Sequence, residues 1–158
     1  MAQAIYGLTL FSALGSGLIA GVFFAFSTFV MAALARLPPE QGIAAMQSIN
    51  VVVINAWFGA AFFGTAVACL LLVIAALFRW HEPGAAWLLA GGVLYLVGTF
   101  AVTIVFNVPL NDALAAVQPA STEGAGVWAR YVPGWTGWNH VRTAASLAAS
   151  ASFIIALR

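Results

Sequence analysis

The sequence predicts an all-α membrane protein, a polytopic four-helix bundle whose helices 1 and 2 extend beyond the bilayer on one face. Three observations carry this. First, the 158 residues are 64% hydrophobic and 6% charged, against about 25% charged residues in soluble domains, too few to cover a water-facing surface. Second, mean hydropathy is +1.05. Third, the apolar residues fall in four runs, near 5–35, 57–78, 85–106 and 138–157. Each run is close to the roughly 20 residues that a helix needs to cross a bilayer. Backbone groups in lipid must be satisfied within their own segment, which a helix does. One transmembrane domain over residues 1–158 follows, in an integral membrane protein whose expected location is a bacterial inner membrane.

Helix 1 is longer than a bilayer requires. Counted to Arg36, it runs roughly 50 Å at 1.5 Å per residue. Gly17 and Gly21 form a G-x-x-x-G that permits close helix approach. "LPPEQG" then turns the chain, with Pro38 and Pro39 suited to a helix start and Glu40 to its first turn. "IAAMQSINVVVINAW" is helical in pattern but polar at Gln47, Ser48, Asn50 and Asn55, so helices 1 and 2 read as a hairpin projecting from the membrane. Asn50 and Trp57 are seven residues apart and share a face of that helix, while Asn55 points elsewhere. The short "RWHEPG" turn joins helices 2 and 3 on the opposite, plain face. A long loop from Asn107 to Pro133 belongs to the elaborated face. An even number of spans puts both termini on one side, and a cytoplasmic N-terminus is expected. "MAQAIYGLTL" lacks the positive region of a signal peptide, so the first run is expected to be retained.

Scarce polar residues gather in two places. On helix 3, Thr99, Thr103, Asn107 and Asn111 recur every four residues and so form one stripe, with Asp112 beside its end and Pro109 as a local break. The bland reading of the Thr residues is hydrogen-bonded glue between helices. The second place is "WTGWNHVR". A helix starting near Gly134 puts Trp135, Trp138, Asn139 and Arg142 on one face, with Ser146 below, and His140 about 100° round from Asn139. The Trp residues, Trp57 included, also suit a membrane-interface belt. Arg142 is the arginine inside a spanning pattern. An ionisable residue there is costly and usually faces a cavity or a partner, which points to Asp112 or an anionic ligand.

Net charge is +1, so no nucleic-acid partner is expected. A single cysteine, Cys69, excludes an internal disulfide and a thiolate metal cluster. No H-E-x-x-H, nucleotide loop, G-x-S-x-G or Cys-His zinc pattern occurs. His81 and His140 lie on opposite faces and cannot form a two-His metal site in one monomer. A haem on His140 alone stays open.

"FFAFSTFVMAALARLPPEQGIAAMQSIN", "FNVPLNDAL" and "WNHVRTAASLAA" together resemble the anthrone oxygenase-like, or DUF1772, family of small four-helix membrane proteins, over nearly the whole chain. The family takes its name from fungal enzymes that oxidise anthrones to anthraquinones with molecular oxygen. The resemblance implies functional positions at Asn107, Asn111 and Asp112, and at Trp138, Asn139, His140 and Arg142. It implies a lipophilic aromatic substrate, anthrone- or quinol-like, and oxygen as partners, with membrane lipid around them and no cofactor. His140 would be the base, Asp112 would orient it or neutralise Arg142, and Arg142, Asn107, Asn111 and Asn139 would hold an oxyanion. Asn50, Trp57, Trp135 and Trp138 would line the site. Two other classes fit the same residues: a non-catalytic membrane binding or assembly subunit, possible as an oligomer, and a haem or metal enzyme or transporter.

Overall fold

A computed structural model of the chain describes residues 2–158, and among these the only regular structure is helix, with no strand. Helix α1 runs over residues 2–34 and is built from Ala2–Ala25, a π-helical Phe26–Val30 and Met31–Leu34. Then come α2 (Pro39–Val52), α3 (Ala56–Phe78), α4 (Ala85–Ala115) and α5 (Thr122–Ala156). Three of these, α1, α3 and α4, are long and apolar enough to cross a membrane. The fourth long helix, α5, carries Arg142 and many small hydroxyl residues, and packs against α1, α2 and α4. Helix α3 closes the ring by packing on α1 and α4.

The bundle is inside-out relative to a soluble one. Its outer faces carry Leu10, Leu14 and Leu18 on α1, Val67 and Leu71 on α3, and Val97 and Ile104 on α4, all exposed, as a lipid solvent requires. Exposed Tyr6, Trp80 and Trp87 mark one rim and exposed Trp57 the other, the positions of interfacial belts. Ile5, Thr9, Arg79, Glu82 and Leu157 border one shallow crevice of about 180 Å³, so both chain ends and the α3–α4 turn share the plain end. Arg79 and Glu82 pair there across three residues, the one ion pair among the described residues.

Five helices stand where four are expected, because helix 2 is broken. The Asn55 side chain accepts hydrogen bonds from the amides of Trp57 and Phe58, both at 3.0 Å, and donates to the Val52 carbonyl at 3.0 Å. It therefore ends α2 and starts α3 with one amide. Asn50 and Trp57 consequently belong to different helices and do not share a face. The stretch 107–133 is also corrected. It is helical to Ala115 and again from Thr122, leaving a link of a few residues. Gln47 donates to the Leu114 and Val117 carbonyls at 2.9 and 3.0 Å and so ties off α4. Ser121 caps α5 by accepting from the Gly124 amide at 2.9 Å. The elaborated end is a packed cap with its own core of Met31, Ile43, Met46, Leu114, Trp128 and Tyr131, drawn from α1, α2, α4 and α5.

The G-x-x-x-G of α1 divides: Gly17 faces Ser150 of α5, whereas Gly21 has open space around it. Helices α3 and α4 also approach closely. A methyl at Gly92 would strike Val73 and sit 3.0 Å from the Cys69 carbonyl oxygen, and a backbone atom cannot move aside. Gly92→Ala is expected to destabilise by about 1–3 kcal/mol, the usual cost of overpacking, read as a lower unfolding temperature in detergent.

Candidate functional site

The stripe on α4 stays straight because the helix changes its winding. Four residues advance an α-helix by one turn plus roughly 40°, so a period of four drifts round it. Helix α4 is π-helical over Leu94–Ala101 and Thr103–Asn107, and its wider turns take up the drift. The Val108 amide bonds back to the Thr103 carbonyl, and Pro109 follows. All four stripe residues meet α5. Thr99 Oγ1 lies 2.7 Å from Ser146 Oγ. Thr103 Oγ1 accepts from Arg142 Nη1 at 3.2 Å. Asn107 Nδ2 donates to the Trp135 carbonyl at 3.2 Å. Asn111 Oδ1 accepts from Tyr131 OH at 2.8 Å and from Trp135 Nε1 at 2.9 Å.

Arg142 is 3% exposed. Its Nη2 donates to Asn139 Oδ1 at 2.8 Å, its Nε has no partner, and its guanidinium carbon lies 4.1 Å from the Phe23 ring centre and 4.9 Å from that of Trp135. No carboxylate pairs with it. Aromatic faces attract a cation but do not neutralise it. Asn139 is 0% exposed, and its Nδ2 donates to the Phe23 carbonyl and to Ser27 Oγ, both at 2.7 Å. Both its donors and its acceptor are therefore engaged. It joins α1 to α5 and holds Arg142 in place.

Arg142 borders a cavity of about 300 Å³, the lower end of the usual range for small-molecule pockets. Phe23 and Phe26 of α1, Ile49 of α2, and Phe58 and Phe62 of α3 supply apolar walls. Thr103, Asn111, Trp135 and Asn50 border it as well. Two protein donors hold Asn111 Oδ1, so its amide NH₂ is left for a ligand. Half-buried Val53 and exposed Ile54 and Asn55 edge the cavity at the α2–α3 break. The polar groups here are mainly donors, and they suit an oxygen acceptor or an anion.

The structure thus brings Asn50, Asn111, Trp135 and Arg142 to one cavity, with Asn107 and Asn139 packed behind it. Asp112 and His140 are exposed and contact neither Arg142 nor each other. Trp138 is stacked outside on Phe106, with ring centres 3.7 Å apart, and Trp57 is 88% exposed. The expected pairing of Arg142 with Asp112 is therefore not formed, and a helix start near Gly134 is corrected to Thr122. Sequence reasoning missed Phe23, Phe26, Ser27 and Tyr131. Tyr131 was within reach, since Tyr131, Trp135 and Asn139 recur every four residues; reading 107–133 as a loop hid it. The α1 residues carry no such period.

Fold and cavity define a polytopic membrane protein that holds a buried cation beside an apolar pocket. The chain belongs to the anthrone oxygenase family, whose model matches residues 54–152, from the start of α3 well into the last turns of α5. The matched stretch includes Asn107, Asn111, Asn139 and Arg142 but not Asn50 or the α1 wall. No curated protein and no solved structure matches the chain. Family membership suggests an oxygenase-like role.

Proposed function

We propose that the protein is a membrane oxygenase acting on a lipophilic aromatic, anthrone- or quinol-like molecule with molecular oxygen, without a cofactor. The observation that carries this reading is Arg142: a buried guanidinium, free of any carboxylate, at the wall of an apolar cavity. Keeping it there is costly unless a ligand uses it. A flat aromatic fills the space between Phe23, Phe58, Phe62 and Trp135, and its oxygen faces Arg142 and the Asn111 amide.

The chemistry asks little of side chains. A methylene between aromatic rings and next to a carbonyl system loses a proton to give an enolate. Arg142 and Asn111 stabilise the charge on the enolate oxygen, as preorganised donors in a dry site do. The anion passes one electron to dioxygen, and the radical pair joins to form a C–O bond. Protonation gives a hydroperoxide, which loses water to leave the ketone. One oxygen atom enters the product and the other leaves as water. His140 and Asp112 do not border the cavity, so this scheme gives them no part, and the proton departs through solvent.

Oxygen uptake by purified protein with an anthrone tests the reading. Substrate-dependent uptake of one O₂ per ketone formed is expected. Asn111→Leu should weaken turnover about tenfold, the worth of roughly one hydrogen bond, while His140→Ala leaves it unchanged. Anthrone binding without oxygen uptake would instead favour a non-catalytic binding protein.

A further inference from the structure

The cavity beside Arg142 has a mouth on the outer surface of the bundle, between α3 and α4. Helix α3 packs on residues 85–101 of α4 and far less on 103–115, so the two helices part towards the elaborated end. Phe100 closes the lower edge of the gap, its ring centre 5.4 Å from that of Phe62 and 5.8 Å from that of Phe63. Above it, Gly59 and Phe63, one turn apart on α3, border the cavity on one side, and Ile104 and Val108 of α4 border it on the other. Phe63 is 55% exposed and Ile104 47%, so each faces the cavity and the surroundings of the bundle at once. Between them a methyl group on Gly59 would meet no atom within 4 Å.

This mouth lies at hydrocarbon depth. The 23 residues of α3 run about 35 Å at 1.5 Å each, little more than the roughly 30 Å hydrocarbon core they cross. At most about 5 Å can therefore overhang at one end. Phe63 stands about 10 Å from the start of α3, so it meets lipid chains rather than headgroups or water. Arg142 stands across the ring of helices from it, reaching from α5 over the Phe23 ring of α1. The cavity's charged wall thus faces its open, apolar side.

We infer that the ligand of this cavity carries a hydrocarbon chain, and that the chain leaves between α3 and α4 and stays in the bilayer. The ring is that of the proposed function, on which this inference rests: its oxygen meets Arg142, so its far edge is directed at Gly59, Phe63 and Ile104. A closed pocket of this size would exclude a chain. Here the chain never has to leave lipid, so the cavity selects the ring and the mouth admits the tail. Gly59 keeps the mouth wide, since a large side chain there has free space to fill and no neighbour to displace.

The probes are a hydroquinone with a decyl chain on its ring and the same ring with a methyl group instead. Both are titrated without oxygen against the full chain in lipid nanodiscs, with affinities expressed per concentration in the bilayer. The decyl compound should bind at least as tightly as the methyl one. Gly59→Trp and, from the other edge, Ile104→Trp should weaken the decyl compound by about tenfold or more, leaving the methyl compound and the unfolding temperature nearly unchanged. Val97→Trp, exposed on α4 away from the cavity, should change neither affinity. A decyl compound that binds wild type about tenfold more weakly than the methyl one overturns the inference, as do two mouth variants that bind it as wild type does. Binding of both compounds with no oxygen uptake once air is admitted would remove the proposed reaction and leave the mouth standing.

Discussion

Arg142→Met is expected to keep or raise the unfolding temperature while weakening ligand binding about 100-fold. Most buried arginines cannot be removed so cheaply, because a partner carboxylate is left stranded. Here none is present within ion-pair distance. The variant leaves only neutral groups behind. Thr103 Oγ1 still donates to the Thr99 carbonyl at 2.8 Å, and Asn139 keeps its bonds to Phe23 and Ser27. Against one orphaned Asn139 oxygen, about 1–3 kcal/mol, stands the relief of a buried ion's desolvation, several kcal/mol. Methionine fills the volume between Phe23 and Trp135 with a flexible apolar chain. Ligand affinity should fall about 100-fold, or roughly 2.7 kcal/mol, the scale of a hydrogen bond to a charged group. Arg142→Lys retains the charge but loses the planar fork that reaches Thr103 and Asn139 together, and a loss of about tenfold is expected, roughly 1.4 kcal/mol. Thermal unfolding in detergent beside titration of Trp fluorescence with an anthrone measures both. Collapse of the Met variant would assign Arg142 to the fold, and retained affinity would remove it from the site.

Asn139→Ala should do the reverse and damage the fold itself. The Phe23 carbonyl and the Ser27 hydroxyl lose a buried donor and Arg142 Nη2 loses its acceptor. At about 1–3 kcal/mol for each of these three groups, the total is about 3–9 kcal/mol. That is a large share of the 5–15 kcal/mol typical of a whole domain. In an Arg142→Met background the guanidinium's share disappears, so the two substitutions should couple favourably by about 1–3 kcal/mol in a double-mutant cycle. Additive losses would show that Asn139 holds α1 to α5 without positioning Arg142.

The lipid-facing bundle was legible in the sequence because its causes are local and one-dimensional. Run length, the near-absence of charge and the need to satisfy backbone within each segment act without reference to neighbours. The stripe at Thr99, Thr103, Asn107 and Asn111 was legible for the same reason, as was the shared face of Trp135, Asn139, Arg142 and Ser146. Where each polar group finds its partner was not. Asn55 reads as one more polar residue of a helix, yet three hydrogen bonds to its own neighbours turn it into the break between α2 and α3. Asn107 and Asn139 read as ligand donors, yet the carbonyls of Trp135 and Phe23 on facing helices claim their NH₂ groups. Asp112 and Arg142 are opposite charges on adjoining elements, but Arg142 turns inward and Asp112 outward. The π turns of α4 keep Asn111 towards α5, and its neighbour Asp112 is left on the outer side. Charge and periodicity select which residues must be sequestered; only the packing of five helices decides which stay free to meet a ligand, because a polar group is available when its neighbours have left its hydrogen bonds unfilled.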